Sequence, residues 1–199
     1  IYTTLKNTDN WDKNGDVIIN NIKYHKTKKS YFKYEPIKWR VIQSENEEAF
    51  LLSDVILDKQ AYGENEDKQG YITWEESSLR AWLNEKFMNR AFSDEEKEKI
   101  NITELVNQGN NTSDKIFLLS AAEVEDTLDG KKYGFLLNPE TKQCKTNSFL
   151  KTKVGFWWLR SPEESDDSSF AAEVNNNEGQ VTWYGIRAVS YTHLTLPTK

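Results

Sequence analysis

The sequence predicts an α+β domain in which short helices pack against antiparallel strands. Three observations carry that prediction. Apolar runs with strand-like patterning fall early, at 37–52, and again late, from 154 to 189. Between them, three Ser/Thr-x-x-Glu signatures announce helix starts. The third is aromatic content. Hydrophobic residues make up only 37% of the 199, and mean hydropathy is -0.79. Seven Trp, nine Tyr and nine Phe still supply enough large apolar side chains for a core, and a disordered chain would be aromatic-poor.

Residues 1–35 are polar and lysine-rich, with one apolar run, VIINNIKY (17–24), that reads as a short strand or hairpin. The stretch KYHKTKKSYFKY (23–34) mixes lysines with aromatics. A net charge of -6 argues against a phosphate-binding arm, so it reads as a solvated edge strand and no nucleic-acid partner is expected. From Pro36, PIKWRVIQ alternates Ile37, Trp39 and Val41 against Lys38 and Arg40, a strand with one buried face. EAFLLS follows after a polar link, so 37–52 reads as a hairpin. A near copy, KIFLLS, stands at 115–120. The FLLS stretch shared by both is read as apolar, as expected of strands covered on both faces.

The helix signatures are Thr73-Trp74-Glu75-Glu76, Ser93-Asp94-Glu95-Glu96 and Ser120-Ala121-Ala122-Glu123. After the first, Leu79, Trp82, Leu83 and Phe87 share one helical face. The second opens a short charged helix with acids at its positive end. The third predicts a short helix carrying Val124 and Leu128 that stops at Gly130. NQGNNTSD (107–114) and DGKKYG (129–134) are turn chemistry. Strands resume at 154–159, 170–174, 180–184 and 185–189, with NNNEG (175–179) as a hairpin turn. They suggest an antiparallel meander. Within it, GFWWLRSP places Trp157 beside Trp158. Neighbouring strand residues point to opposite faces, so both faces of this strand need a cover. Trp157, Trp158, Trp39 and Trp82 are read as structural. So is Arg160, which needs backbone carbonyls or a loop acid as partner.

Taken in order, PIKWRVI, FLLSDVILD, WEESSLRAWLNEKFMNRAFSDEEKEKI, DKIFLLSAAEV, WWLRSP, AAEV and YGIR resemble a bacterial family catalogued as domain of unknown function 6273. The resemblance covers about residues 36–187. The rhythm of the last third is also similar to proteins with the C-type-lectin-like fold, among them formylglycine-generating (sulfatase-modifying-factor-like) enzymes and variable ligand-binding proteins of diversity-generating retroelements. The resemblance implies a single C-type-lectin-like domain, residues 36–188, with two to three helices packed on a twisted antiparallel sheet. Such a fold does not by itself imply one function. After YGIR the family continues differently. Here YTHLTLPT resembles the translation of a sequencing-adapter fragment, so residues 189–199, His193 included, are set aside as a non-native tail.

Chemistry narrows the function. Calcium needs six to eight oxygen ligands. Glu35-Pro36-Ile37 and Asn138-Pro139-Glu140 both depart from the sugar-binding pattern of C-type lectins. No metal and no cofactor is expected. The formylglycine-generating enzymes use a cysteine pair, whereas this chain has only Cys144, so that activity is not carried over. The pairs Glu75/Glu76 and Glu95/Glu96 sit in helix first turns, where capping explains them. The acidic loop Glu163, Glu164, Asp166 and Asp167 reads as solvated. What remains is a set of amides and aromatics around the late meander: Asn175, Asn176, Asn177, Trp183 and Tyr184, with Asp166 and Asp167 on the rim. Planar amides beside an aromatic suit a sugar or protein surface.

The expectation is a non-catalytic ligand-binding module, for a glycan or a protein, on a bacterial surface, secreted or phage-related protein. An enzyme of the formylglycine-generating type or a hydrolase on the same fold is the alternative. No stretch is long enough for a membrane span. The first residue is Ile1 rather than Met, and a leader or lipid anchor could have preceded it. A secreted or cell-surface location is expected, and the single cysteine also permits a cytoplasmic one.

Overall fold

The computed structural model describes residues 1–28, 30–63, 72–125, 144–146, 154–162, 170–174, 181–185, 189–192 and 195–198. The chain is mixed α+β, with few helices and several small, mostly antiparallel sheets. It divides into two compact units, Ile1–Ile37 and Lys38–Lys199.

In the first unit, helix α1 (Tyr2–Asn7) precedes an antiparallel sheet of β1 (Asp16–Ile19), β2 (Ile22–Lys26) and β3 (Tyr31–Lys33), in that order. Asn20 and Asn21 make the first turn, with φ of 51° and 61°. This left-handed geometry is one that asparagine tolerates and that suits a two-residue hairpin. Leu5, Val17 and Tyr24 are buried, and Trp11, Ile19, Ile22 and Tyr31 close around them.

So small a core gains from a polar anchor on Asp16. Its carboxylate accepts from Lys23 Nζ at 2.8 Å and lies 2.7 Å from His25 Nδ1, with the Tyr34 hydroxyl at 3.3 Å. Burial works against the charge on Asp16, but the bonds from Lys23 and His25 outweigh it and hold the carboxyl below its ordinary 3.8. The bond to Asp16 likewise holds the Lys23 ammonium above its ordinary 10.5.

A depressed carboxyl stabilises the fold above its unfolded pKa, and that stability is lost as pH falls through the lower, folded value. The raised lysine contributes below 10.5 and loses its effect as pH rises through its folded value. The β1–β2 hairpin is therefore expected to loosen in acid. NMR signals of Val17 and Tyr24, followed from neutral pH downward, report it. Asp16→Asn should weaken the hairpin at neutral pH and flatten the acid limb. An acid limb of equal size in Asp16→Asn would refute this assignment.

In the second unit, β4 (Trp39–Glu45) and β5 (Glu48–Ser53) form the hairpin expected at 37–52. Strict alternation fails at Val41, which is 61% exposed. The register shifts between Val41 and Gln43, and such a bulge breaks the two-residue period. β6 (Val55–Ile56) and β7 (Asp58–Ala61) follow.

A helical stretch then runs through α2 (Ser78–Trp82), a π-helical turn (Leu83–Phe87) and α3 (Met88–Ala91). It does not start at Thr73. Ser77 is the N-cap, accepting from the Arg80 amide at 3.0 Å, and residues 74–76 form a turn. Trp74 is fully buried, which draws that segment into the core. The wide turn advances the apolar phase by one residue. Leu79, Leu83 and Met88 are buried, while Trp82 and Phe87 are partly covered. α4 (Asp94–Lys99) has the predicted reciprocal cap between Ser93 and Glu96.

β8 (Thr103–Leu105) and β9 (Thr112–Asp114) pair with each other. The KIFLLS run is not a ladder strand, although Ile116, Phe117, Leu118 and Leu119 are all buried. Asn84 holds its backbone: Nδ2 donates to the Ile116 carbonyl at 2.9 Å, and Oδ1 accepts from the Lys115 and Ile116 amides. α5 (Ala121–Glu125) starts at Ser120 as its signature predicts; Leu128 and Gly130 lie outside the described residues.

The remaining strands are β10 (Cys144–Thr146), β11 (Val154–Gly155), β12 (Trp157–Pro162), β13 (Phe170–Val174), β14 (Val181–Gly185), β15 (Val189–Thr192) and β16 (Thr195–Thr198). β12, β13 and β14 form an antiparallel meander within a five-stranded sheet ordered β14-β13-β12-β15-β7. β12 pairs with β15 in parallel. β16 joins β5. The residues set aside as a tail thus include two paired strands. One core cluster, with Trp74, Leu83, Phe117 and Trp158, and a second, with Leu52, Val124, Trp157 and Leu159, draw on alternate residues of β12.

Candidate functional site

Strand β12 is the scaffold of the site. Trp157 is 1% exposed and belongs to one core cluster; Trp158 is fully buried in the other. Alternation along the strand explains the split. Trp158 Nε1 donates to the Gln60 carbonyl at 3.0 Å, so its one polar atom is satisfied. Its ring meets Tyr62 edge-on at 5.7 Å, and the Tyr62 hydroxyl donates to the Arg160 carbonyl at 3.1 Å.

Arg160 is 4% exposed. Its guanidinium donates to both Glu123 oxygens, at 2.5 and 2.7 Å, to the Leu118 carbonyl at 2.9 Å and to Asn107 Oδ1 at 3.1 Å. The partner acid is the cap residue of α5 instead of a loop acid, and Glu123 also accepts from the Ser120 amide at 2.7 Å. One carboxylate therefore closes a helix end and neutralises a buried arginine. The capping signature revealed the first role; the second depends on a contact 37 residues away and has no local signal.

The polar chain continues. Asn107 Nδ2 donates to Thr112 Oγ1 at 3.1 Å, and Thr112 Oγ1 donates to Asp114 at 2.8 Å. Asp114, 2% exposed, also accepts from Trp74 Nε1 at 3.0 Å and from Arg80 Nε at 2.8 Å. The run NQGNNTSD is thus a polar bridge between two core ion pairs. Gly109 turns it with φ +102°, where a Cβ would come 3.2 Å from Thr73 Cγ2. Chemically, Arg160 and Glu123 bind each other and the backbone, Asp114 is held by Arg80, Trp74 and Thr112, and the two sets fix chain segments instead of presenting charge to solvent. Among the described residues, no group of three His, Cys, Asp or Glu is placed to hold a metal.

The expected ligand-binding residues are distributed as follows. Trp183 and Tyr184 stand on β14, in backbone register with Ala172 and Ala171 of β13. Ala171 to Val174 of β13 are buried, whereas Val181 and Thr182 of β14 are half-buried. β14 ends the five-stranded order, and α5 lies against it. Asn175, Asn176, Asn177, Asp166 and Asp167 lie outside the described residues, as does His193. Trp39 packs at the edge of the first cluster and stacks on Phe92 at 6.3 Å; Trp82 contacts Phe87 at 5.4 Å. Cys144 is on β10, opposite Gly155.

The candidate site is an aromatic-bearing outer strand of a sheet whose strand β12 is held by a buried ion pair. The chain belongs to the family described as domain of unknown function DUF6273, which matches residues 46–193. No curated protein and no solved structure matches the chain. No helix among the described residues is long and apolar enough to cross a membrane, which says nothing of β-barrels.

Proposed function

We propose that the chain is a non-catalytic ligand-binding module, for a glycan or a protein, of a bacterial surface, secreted or phage-related protein, built on a C-type-lectin-like fold. The observation that carries this reading is the position of β14. It ends the order of the five-stranded sheet, beside buried Ala171 to Val174, it bears adjacent Trp183 and Tyr184, and a sequence rich in amides joins it to β13. Side chains on alternate faces of such a strand leave one aromatic on each side. An aromatic next to planar amides is suited to sugar rings and protein hot spots.

A glycan array and a pull-down from bacterial cell-wall material test the reading. The chain is expected to select a defined ligand. Trp183→Ala or Tyr184→Ala should weaken binding by about tenfold while the fold persists. Reproducible turnover of any substrate, abolished by a point mutation, would replace this reading with the enzymatic one.

A further inference from the structure

Residues 1–37 carry seven lysines against four acidic side chains, in a chain whose net charge is -6. Positive charge is concentrated in this one small unit. It lies beside an aromatic cluster. Trp11 stacks on Tyr31 with ring centroids 5.6 Å apart and planes at 16°, and Tyr2 meets Tyr31 edge-on at 5.6 Å. A bond from Trp11 Nε1 to the Thr8 carbonyl, 2.9 Å, fixes the indole. Lys26 Nζ is 4.9 Å from the Trp11 ring centre, and Lys26 is the cross-strand partner of Tyr31. The turn between them carries Lys28, which is exposed. Core packing accounts for part of this cluster, since Trp11 and Tyr31 close around Leu5, Val17 and Tyr24. It does not account for Tyr2, which is 67% exposed, or for the exposed Lys26 over the Trp11 ring.

We propose that this face of the N-terminal unit is a binding surface for an acidic polysaccharide. Tyr2, the exposed ring of the cluster, offers flat apolar area to the C–H face of one pyranose, and Lys26 and Lys28 pair with the polymer's carboxylates or sulfates. Charge complementarity selects an acidic ligand. Charge density selects a polysaccharide over a nucleic acid. Duplex nucleic acid presents one charge per about 1.7 Å, and the acidic remainder of this chain repels so dense a polyanion more than one bearing a charge every sugar or two. The rings also stack on each other, whereas a single-strand platform leaves its rings open to successive bases. Every residue of this surface belongs to the first unit, whereas β14 belongs to the second.

Affinity electrophoresis of the whole chain tests this, in gels containing polygalacturonate, chondroitin sulfate or neutral dextran, with poly(U) as a parallel probe. Retardation by polygalacturonate or chondroitin sulfate is expected, weakening as salt rises. Tyr2→Ala should reduce it about fivefold, and the double change Lys26→Glu/Lys28→Glu on the order of tenfold. All three residues are exposed, and unchanged Val17 and Tyr24 NMR signals establish that the unit remains folded. Four results would overturn the proposal: no retardation by either acidic glycan, equal retardation by neutral dextran, tighter binding of poly(U), or retardation unaffected in both folded variants.

Discussion

Trp158→Ala is expected to lower stability by about 3–5 kcal/mol, the cost of deleting a large buried aromatic. The residue is fully buried, meets Tyr62 edge-on and donates to the Gln60 carbonyl, so truncation opens a cavity and leaves that carbonyl unpaired. Trp157→Ala should cost a similar amount through the opposite cluster. Trp82→Ala, at a partly covered position, should cost less. Urea titrations of the three variants decide the matter. A Trp158→Ala midpoint equal to that of the parent would mean that the strand is not covered on both faces.

The second large effect is at Arg160. Arg160→Met removes the charge that neutralises Glu123 and strands a carboxylate in the core. Breaking a buried pair from one side costs about 3–5 kcal/mol. Removing both charges in Arg160→Met/Glu123→Leu should recover part of that loss, because desolvation of the pair is relieved along with its attraction. Recovery should be incomplete, since Glu123 also caps α5 and Arg160 also holds the Leu118 carbonyl. A double-mutant cycle measured by thermal unfolding gives the coupling. Additive losses would show that the two side chains do not depend on each other.

The features legible in the sequence were those written in local chemistry. Period-two alternation located the β4–β5 hairpin and the late meander, and reciprocal capping located α4 and the start of α5. Long-range burial overruled the local signals elsewhere. Thr73 failed as a cap because Trp74 enters the core and bonds Asp114, 40 residues away. An apolar run reports burial, not ladder pairing: Asn84 holds the backbone at Lys115 and Ile116, and Arg160 holds the Leu118 and Leu119 carbonyls. The edge strand expected at 23–34 divides into β2 and β3, and the polar chain through Asn107 rests on tertiary contacts that have no local signal. For the candidate site, strand patterning located β14 with Trp183 and Tyr184, whereas the amides at 175–177 and the acids at 166–167 lie outside the described residues.

The buried run Ile116–Leu119 carries a cost in time. Leu119 belongs to the cluster that includes Trp157 and Leu159, and its carbonyl accepts from the Arg160 amide at 2.9 Å. On a ribosome, about forty residues must be added after Leu119 before that strand exists, which takes roughly 2–8 s at ordinary elongation rates. Throughout that interval Leu119 lacks its cover from Trp157 and Leu159, and the cluster holding Ile116, Phe117 and Leu118 lacks Trp158. Nascent chains of this length are therefore natural clients for a hydrophobic-peptide chaperone, and slow translation between residues 120 and 160 should lower the soluble yield even though the finished protein is unchanged.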